Sequence, residues 1–266
     1  MTEWNAPGYA RIDALQETMA AEVLALIDLK GYERVLDLGC GNGKVTAEIA
    51  ARVPEGTVVG IDSSADMIAF ASAQFGPTMR PNLRFETCDI RNLRFQQEFD
   101  LVVSFNALHW IPEQDEALRS IHSAMKPDAV AQLRLVPAGR RKSLENVIEE
   151  TRLSTRWAGY FSDFQDPYLH LTPERYGVLA ERNGFRVRRI YTGDKAWDFK
   201  SRAAFQAFGS VTFVAWTQFL PEAERLAFVT DVLDRYQMVV TERPGEESTF
   251  KFYQMDITLS AGACTK

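Results

Sequence analysis

Cysteine and histidine are scarce in this sequence of 266 residues, which contains three of each. The cysteines are widely spaced and no C-x-x-C pair occurs, so neither a disulfide framework nor a cysteine-based zinc site is indicated. The histidines are equally scattered and lack the spacing of metal ligands. We therefore expect a protein of a reducing compartment that holds no metal.

Long apolar runs and clusters of basic charge are absent as well. No apolar segment approaches the roughly 20 residues that a membrane-spanning helix needs, and Met1–Asn5 lack the basic start and apolar run of a signal peptide. The formal net charge is -6, and the one basic run, Arg140–Lys142, is short. These absences predict a cytoplasmic protein with no membrane partner. They also argue against a nucleic-acid partner, because binding phosphates requires a basic surface.

The sequence does contain a regular alternation of strand and helix patterns up to about residue 136. Such alternation predicts a mostly parallel, doubly wound α/β sheet with helices on both faces. After Pro137 the pattern becomes helical and rich in aromatic residues, with two further strands. The seven predicted strands are Val35–Leu38, Thr57–Ile61, Leu83–Glu86, Phe99–Phe105, Val130–Val136, Phe185–Tyr191 and Thr249–Leu259. We expect a single domain over 1–266, with a cofactor-binding half at 1–136 and a substrate-side half with a helical insert at 137–266.

A glycine-rich loop follows the first predicted strand, in the segment VLDLGCGNG that begins at Val35. Its glycines at 39, 41 and 43 allow a ligand to approach the backbone closely, because no Cβ intrudes. The helix that follows offers free N–H groups and partial positive charge to a carboxylate. The G-x-G-x-G spacing differs from the G-x-G-x-x-G of dinucleotide sites and so counts against a dinucleotide-dependent oxidoreductase. By itself the loop is equally compatible with a tight turn that binds nothing.

Polar residues at the ends of the next strands supply the second signal. Asp62 ends the second strand about twenty residues after the loop, where a carboxylate can accept both hydroxyls of a ribose. Asp89 follows the third strand and could accept from an adenine amino group with Ile90 covering the ring, although a turn aspartate explains it equally well. Asn106 ends the fourth strand and is expected to face the ligand. Together these positions favour a nucleoside-containing ligand over an empty turn.

Four segments taken in order, VLDLGCGNG, GIDSS, CDI and FDLVVSFNALHW, resemble the successive motifs of class I S-adenosylmethionine (SAM)-dependent methyltransferases. The match spans roughly residues 9–136, and within that superfamily the chain is similar to small-molecule enzymes of the trans-aconitate and juvenile-hormone-acid type. The resemblance implies SAM as cofactor and a sheet with one antiparallel strand near its edge. Where the family usually reads K-P-G-G, this chain has KPDA at 126–129, so that turn is expected to be reshaped.

The resemblance also implies a set of cofactor contacts. It places the methionine carboxylate at Gly39 and Gly41, the ribose at Asp62, and the adenine at Ser63, Asp89 and Ile90. An N-terminal segment closes over the cofactor in such enzymes, with Tyr9 and Gln16 as candidates here. The complete expected cofactor site is Tyr9, Gln16, Gly39, Cys40, Gly41, Asp62, Ser63, Met67, Asp89, Ile90 and Asn106.

The expected activity is methyl transfer to a small organic molecule, on an oxygen of an acid or a hydroxyl. His109 is the candidate base because its ordinary pKa suits proton abstraction near neutral pH, although packing or substrate positioning explains it as well. Arg134, or the pair Arg140 and Arg141, could hold a carboxylate, and some aromatics after Pro137 could enclose an apolar substrate. The alternatives are a SAM-binding protein without transferase activity and a nucleic-acid methyltransferase.

Overall fold

Seven strands form one sheet in the computed structural model, which describes residues 13–169 and 171–262. The strands are β1 (Arg34–Leu38), β2 (Thr57–Asp62), β3 (Leu83–Thr87), β4 (Phe99–Phe105), β5 (Met125–Leu135), β6 (Phe185–Asp198) and β7 (Thr249–Ala261). The helices are α1 (Asp13–Leu24), α2 (Lys44–Arg52), α3 (Ala65–Phe75), α4 (Gln114–Ala124), α5 (Leu144–Arg152), α6 (Pro173–Arg182), α7 (Arg202–Thr212), α8 (Val214–Thr217) and α9 (Glu222–Val240). Short 3₁₀ turns lie at Ile90–Asn92, Leu108–Trp110 and Ala158–Tyr160. None of the described helices is long and apolar enough to cross a membrane.

The strand order is β3-β2-β1-β4-β5-β7-β6. Strands β1 to β5 are mutually parallel, and β7 runs antiparallel between β5 and the edge strand β6. The predicted seven-stranded, mostly parallel sheet with one antiparallel strand near its edge is therefore confirmed. Since β1 and β4 are central neighbours connected in opposite directions along the sheet, a crevice opens between their carboxyl ends, where ligands bind in this architecture.

The central strands are apolar because helices cover both faces of the sheet. In β1, Leu36 and Leu38 belong to the apolar cluster that includes α4 on one face of the sheet, whereas Val35 belongs to the cluster that includes α1 and α2 on the other. All three side chains are fully buried. This two-sided burial explains why β1 appears in the sequence as an almost continuous apolar run, and it makes the single charged residue inside that run, Asp37, unusual.

Strand β5 begins earlier than predicted, at Met125, directly after α4. Its pairing with β4 shifts between Phe99 and Leu101, so the additional residues are accommodated as an irregularity in the ladder. No residue of 126–129 adopts a positive φ, and Lys126 Nζ lies 2.7 Å from Asp100 Oδ1. The turn expected at these residues is therefore replaced by a bulged strand that needs no glycine.

Strands β6 and β7 also extend further than predicted and form a ribbon that continues beyond β5. Their pairing runs to Asp198 opposite Thr249, whereas β5 pairs with β7 only as far as Met255. On the projecting end, Phe250 and Phe252 contact each other and pack against the helices that surround them. The ribbon thus carries the helical insert at the carboxyl edge of the parallel strands.

The helical insert, called the cap below, has a hydrophobic core of its own. It is formed by α5, α7, α8, α9 and the projecting end of β7, and its largest buried side chains are Trp157, Phe161, Phe205, Phe213, Trp216, Phe228 and Tyr236. The indole of Trp157 donates to Asp231 Oδ2 at 2.7 Å, which satisfies its one polar atom. Most of the aromatic residues after Pro137 are therefore structural, as burial of such large apolar surfaces strongly favours packing.

Candidate cofactor and acceptor site

The glycine loop adopts a backbone that only glycine accommodates without strain. Gly39, Gly41 and Gly43 have φ values of 72°, 52° and 79°. A Cβ on Gly39 would overlap the Cβ of Ala107, and one on Gly43 would lie 2.7 Å from that of Ala71. A Cβ on Gly41 would meet nothing within 4 Å. Two of the glycines are thus required for packing, whereas Gly41 borders open space that a ligand can use.

Asp62 connects the glycine loop to the start of α3. Its Oδ2 accepts from the backbone N–H of Gly41 at 3.0 Å, and its Oδ1 accepts from that of Ser64 at 2.9 Å. Ser64 in turn caps α3 by accepting from Met67 N at 3.3 Å. The carboxylate at the end of β2 and the loop after β1 are therefore adjacent, as the sequence predicted. This arrangement places a carboxylate beside an open glycine backbone, and its contact with a ribose stays a prediction.

Inspection of the sequence did not identify Asp37 as a candidate. A signal was available, because Asp37 is a charged residue inside an apolar strand directly before the glycine loop. Its side chain is buried and accepts from Thr46 Oγ1 at 2.7 Å. Burial raises the pKa of Asp37 to about 7, with the Thr46 hydrogen bond acting in the opposite direction and the nearby Asp62 carboxylate adding a smaller increase that this value includes. None of the described residues gives this carboxylate a cationic partner, so contact with the ammonium group of a methionine moiety is a prediction for Asp37.

The predicted adenine-binding pair is placed together, but Asp89 already has a strong partner. Ile90 is buried, and Asp89 caps the short turn that begins there. The Arg91 guanidinium bonds both carboxylate oxygens of Asp89, at 3.0 Å and 3.1 Å from Nε and at 2.6 Å from Nη2. These bonds hold the pKa of Asp89 below its usual range. The contact of Asp89 with adenine stays a prediction, and Arg91 is a competitor that sequence inspection did not identify.

Asn106 lies at the carboxyl end of β4 in a left-handed conformation, with φ of 59°. Its N–H donates to Arg134 O at 2.9 Å, which joins it to the end of β5. Its carboxamide Oδ1 is buried and accepts no hydrogen bond from the described residues. A strained residue with an unsatisfied buried acceptor, next to the loop of Gly39, is consistent with contact to a bound molecule.

His109 is buried beside Asn106 and is held as a neutral imidazole. Burial lowers its pKa to about 3. Nδ1 accepts from Val136 N at 3.3 Å, and the backbone carbonyl accepts from Leu169 N at 2.7 Å. The hydrogen bond from Val136 to Nδ1 fixes the ring against the end of β5. Because its pKa is lowered, the imidazole is a very weak base near neutral pH. The structure thus favours packing and positioning over proton abstraction.

Aromatic side chains extend from His109 into the cap. The ring of Tyr168 lies 5.0 Å from that of His109 and 5.1 Å from that of Trp110. Trp110 contacts Trp216 at 5.7 Å, and Trp216 stacks on Phe164 at 6.3 Å. Trp216 is fully buried, whereas Trp110 and Phe164 are only partly buried. The partly buried members can therefore form one wall of an acceptor pocket.

Two of the three arginines proposed to hold a carboxylate, Arg134 and Arg141, are engaged elsewhere, whereas Arg140 is exposed. Arg134 is buried and binds Asp256 through Nε at 2.6 Å and Nη2 at 2.9 Å. Arg141 bonds both oxygens of Asp194 and lies over the Tyr253 ring at 4.8 Å. Of the three guanidinium nitrogens of Arg134, Nε and Nη2 bond Asp256, whereas Nη1 points towards α1.

The remaining predicted cofactor residues occupy varied environments. Cys40 is buried within the loop, and burial raises the pKa of its thiol well above the usual value. Ser63 is partly buried, and Met67 is buried in the first turn of α3. Tyr9 lies outside the described residues, and Gln16 lies in α1 with its side chain outside the described part. The contacts of all five with a cofactor stay predictions.

Comparison with known proteins agrees with this geometry. A sequence model described as a methyltransferase domain matches residues 35–128. The trans-aconitate 2-methyltransferase of Deinococcus radiodurans is 32% identical over 256 residues, covering 94% of this chain and 95% of that protein. The crystal structure of the YcgJ protein of Bacillus subtilis shares the fold, with a TM-score of 0.64 at 15% identity, covering 92% of this chain and 99% of that one.

A methyltransferase solved with a product of SAM shares the fold as well. Phosphoethanolamine N-methyltransferase 2 of Haemonchus contortus, in complex with phosphomonomethylethanolamine and S-adenosylhomocysteine, has a TM-score of 0.60 at 17% identity. The match covers 92% of this chain and 53% of that protein. The strand order, the glycine loop paired with Asp62, and the relative at 32% identity lead to one conclusion. This chain belongs to the class I SAM-dependent methyltransferases.

Proposed function

We propose that this methyltransferase transfers the methyl group of SAM to a carboxylate oxygen of a small organic acid. The observation that carries the proposal is the state of His109, whose buried imidazole has a pKa lowered to about 3. A hydroxyl acceptor needs a base to remove its proton, whereas a carboxylate is already ionised at neutral pH. A neutral His109 beside the end of β4 is therefore compatible with a carboxylate acceptor and unfavourable for a hydroxyl.

The relatives support the same substrate class. The Deinococcus radiodurans protein is named for methylation of trans-aconitate, an organic acid, and it aligns with almost the whole of this chain. The net charge of -6 is poorly suited to a nucleic acid. The partly buried rings of Trp110 and Phe164 add an apolar wall for the carbon frame of the acid.

The mechanism requires orientation rather than proton transfer. When bound, SAM supplies an electrophilic methyl group on a sulfonium. A carboxylate oxygen would form the new C–O bond as the C–S bond breaks with its electrons left on sulfur, which would give a methyl ester and S-adenosylhomocysteine. The chain contributes by holding the two reactants in line, which can supply about 7–11 kcal/mol in well-oriented systems. Asp62 and the glycine loop would hold the cofactor, and the wall near His109 would exclude water.

Methyl transfer from SAM labelled in its methyl group would test the proposal. The protein is incubated with separate panels of organic acids, phenols and short RNAs, and Asp62→Ala serves as the cofactor-site control. We expect label in the organic acids, and we expect mild alkali to release it as methanol, since esters hydrolyse and methyl ethers do not. Alkali-stable label in phenols, or label in RNA alone, would show that the proposed acceptor is wrong.

A further inference from the structure

Glu22, near the end of α1, is surrounded by donors from three strands of the sheet. Lys195 Nζ of β6 lies 2.9 Å from its Oε1, Arg134 Nη1 of β5 lies 3.3 Å from its Oε2, and Gln254 Nε2 of β7 lies 3.4 Å from Oε2. These donors are 112 to 232 residues away from Glu22 in the chain. Their convergence on one carboxylate constitutes an anion site, which the chain itself fills.

The donors are built into the sheet. Arg134 and Asp256 are directly opposite each other in the β5–β7 pairing, and the bidentate bond between them fixes the guanidinium with Nη1 directed towards Glu22. On β6, Gly193 is opposite Gln254 and comes two residues before Lys195. Because alternate residues share a face of a strand, Gly193 lies on the same face as Lys195, and the Tyr191 ring and the Lys195 stem border its position. The site is thus preformed by rigid strands, whereas its occupant comes from a helix.

The fit of Glu22 in this site is incomplete. Two of its three bonds are long, at 3.3 Å and 3.4 Å, compared with the 2.7–2.9 Å of good charge-assisted bonds. Gln254 Oε1 is buried and accepts no hydrogen bond from the described residues. The glutamate side chain is itself 36% exposed, so solvent and solutes reach it. A free carboxylate, which is not tethered to a helix, can approach these donors more closely.

The anion site around Glu22 lies close to the end of β4, where methyl transfer is proposed to occur. Arg134 O accepts from the N–H of Asn106, the residue with the unsatisfied buried carboxamide oxygen at the end of β4. Met19, one turn before Glu22, packs against the cap, and its carbonyl is 3.5 Å from Arg134 Nη1. The site therefore lies where α1, the cap and the end of β5 meet. Among the described residues, Asp256 is the one carboxylate other than Glu22 that bonds Arg134 or Lys195.

We propose that Arg134, Lys195 and Gln254 form a subsite for a second carboxylate of the acid substrate, and that Glu22 occupies this subsite until the substrate replaces it. The inference rests on the proposed function, because it assumes an acid as methyl acceptor. It narrows the substrate to acids with at least two carboxylates, one that receives the methyl group near Asn106 and one that binds the three donors. Glu22 then acts as an internal competitor that an acid with a single carboxylate displaces poorly.

Binding of trans-aconitate to the protein saturated with S-adenosylhomocysteine would test this directly by titration calorimetry. Glu22→Gln keeps the shape of the side chain and removes its charge, so we expect trans-aconitate to bind about fivefold more tightly, as loss of a competing partly exposed ion pair implies. Lys195→Met removes a donor and should weaken binding by about fivefold. Lys200→Met is the matched control, because Lys200 is an exposed lysine just after the same strand, and it should leave binding unchanged.

Three results would overturn the proposed subsite. If Glu22 only anchors α1, Glu22→Gln would bind S-adenosylhomocysteine more weakly and trans-aconitate no more tightly, which would overturn the inference. Equal binding by the two lysine variants, or no binding of trans-aconitate by any variant, would overturn it as well. The calorimetry needs no turnover, so it is separable from the proposed function. If acids are methylated while Glu22→Gln behaves as the parent protein, the subsite is wrong and carboxyl methylation stands. If the variants respond as expected and no acid is methylated, carboxyl methylation is wrong.

Discussion

Replacing Asp37 by asparagine should stabilise the cofactor-free protein above neutral pH and weaken its binding of SAM. Asparagine has nearly the same shape and can still accept the hydroxyl of Thr46, which bonds Asp37 at 2.7 Å. It removes only the charge that burial opposes. A site that is costly without its ligand and favourable with it is expected where a cationic group of the cofactor binds.

The magnitude follows from the pKa of Asp37, which burial raises from 3.8 to about 7. The unfolded chain loses this proton near pH 3.8, whereas the folded protein keeps it until about pH 7. The folded state therefore binds more protons in that window, and its stability falls as the pH rises through it. The full difference is about 4 kcal/mol, since each pH unit corresponds to about 1.4 kcal/mol. Between pH 5 and pH 8 the advantage of Asp37→Asn should thus widen by about 3 kcal/mol.

Urea unfolding of both proteins, followed by tryptophan fluorescence from pH 5 to pH 8, measures this advantage. Asp163→Asn, at an exposed position in the cap, is the control and should show no such trend. Calorimetry at pH 8 should show SAM binding weakened by about 2 kcal/mol, the contribution of a hydrogen bond to a charged group. A stability difference that does not change with pH would refute the burial argument. Increased stability with unchanged SAM affinity would show that Asp37 does not face the cofactor.

Four further substitutions address the rest of the site. Asp62→Ala should weaken SAM binding by about 1–3 kcal/mol in calorimetry, because backbone donors and ribose hydroxyls lose their acceptor, and unchanged affinity in a folded variant would remove Asp62 from the site. Gly39→Ala should lower the free energy of unfolding by at least about 2 kcal/mol, since its φ is positive and its Cβ would overlap Ala107. Gly41→Ala should lower the free energy of unfolding by only about 1 kcal/mol and should mainly weaken SAM binding. Equal destabilisation by the two glycine variants would contradict this assignment. His109→Asn should leave the shape of the kcat–pH profile unchanged between about pH 6 and 8, because an imidazole with a pKa of about 3 does not titrate there, and a fall in kcat of about 10²–10⁴ would instead identify a base.

Local sequence patterns were sufficient to predict much of the fold and part of the site. The alternation of short apolar runs with helical periods predicted all seven strands, because burial on one or both faces of a regular element imposes that period on the sequence. The glycine loop was equally visible, since positive φ at residues 39, 41 and 43 requires glycine locally. Asp62 was identified because it ends the next strand after that loop, at the separation expected for one strand–helix–strand unit.

The tertiary structure decided which polar groups are available, and the sequence alone did not. Arg134 looked like a free cation at a strand end, but Asp256, 122 residues later, holds it. In the sequence His109 was a candidate either for a base or for a packing residue, and its burial at the end of β5, which lowers its pKa to about 3, favours packing. Asp37 was visible as a charged residue inside an apolar strand, but its full burial and raised pKa follow only from the packing around β1. The donors around Glu22 come from three strands. Burial and ion pairing depend on residues that meet only after the chain folds, because electrostatic energy follows distance in space rather than separation in sequence.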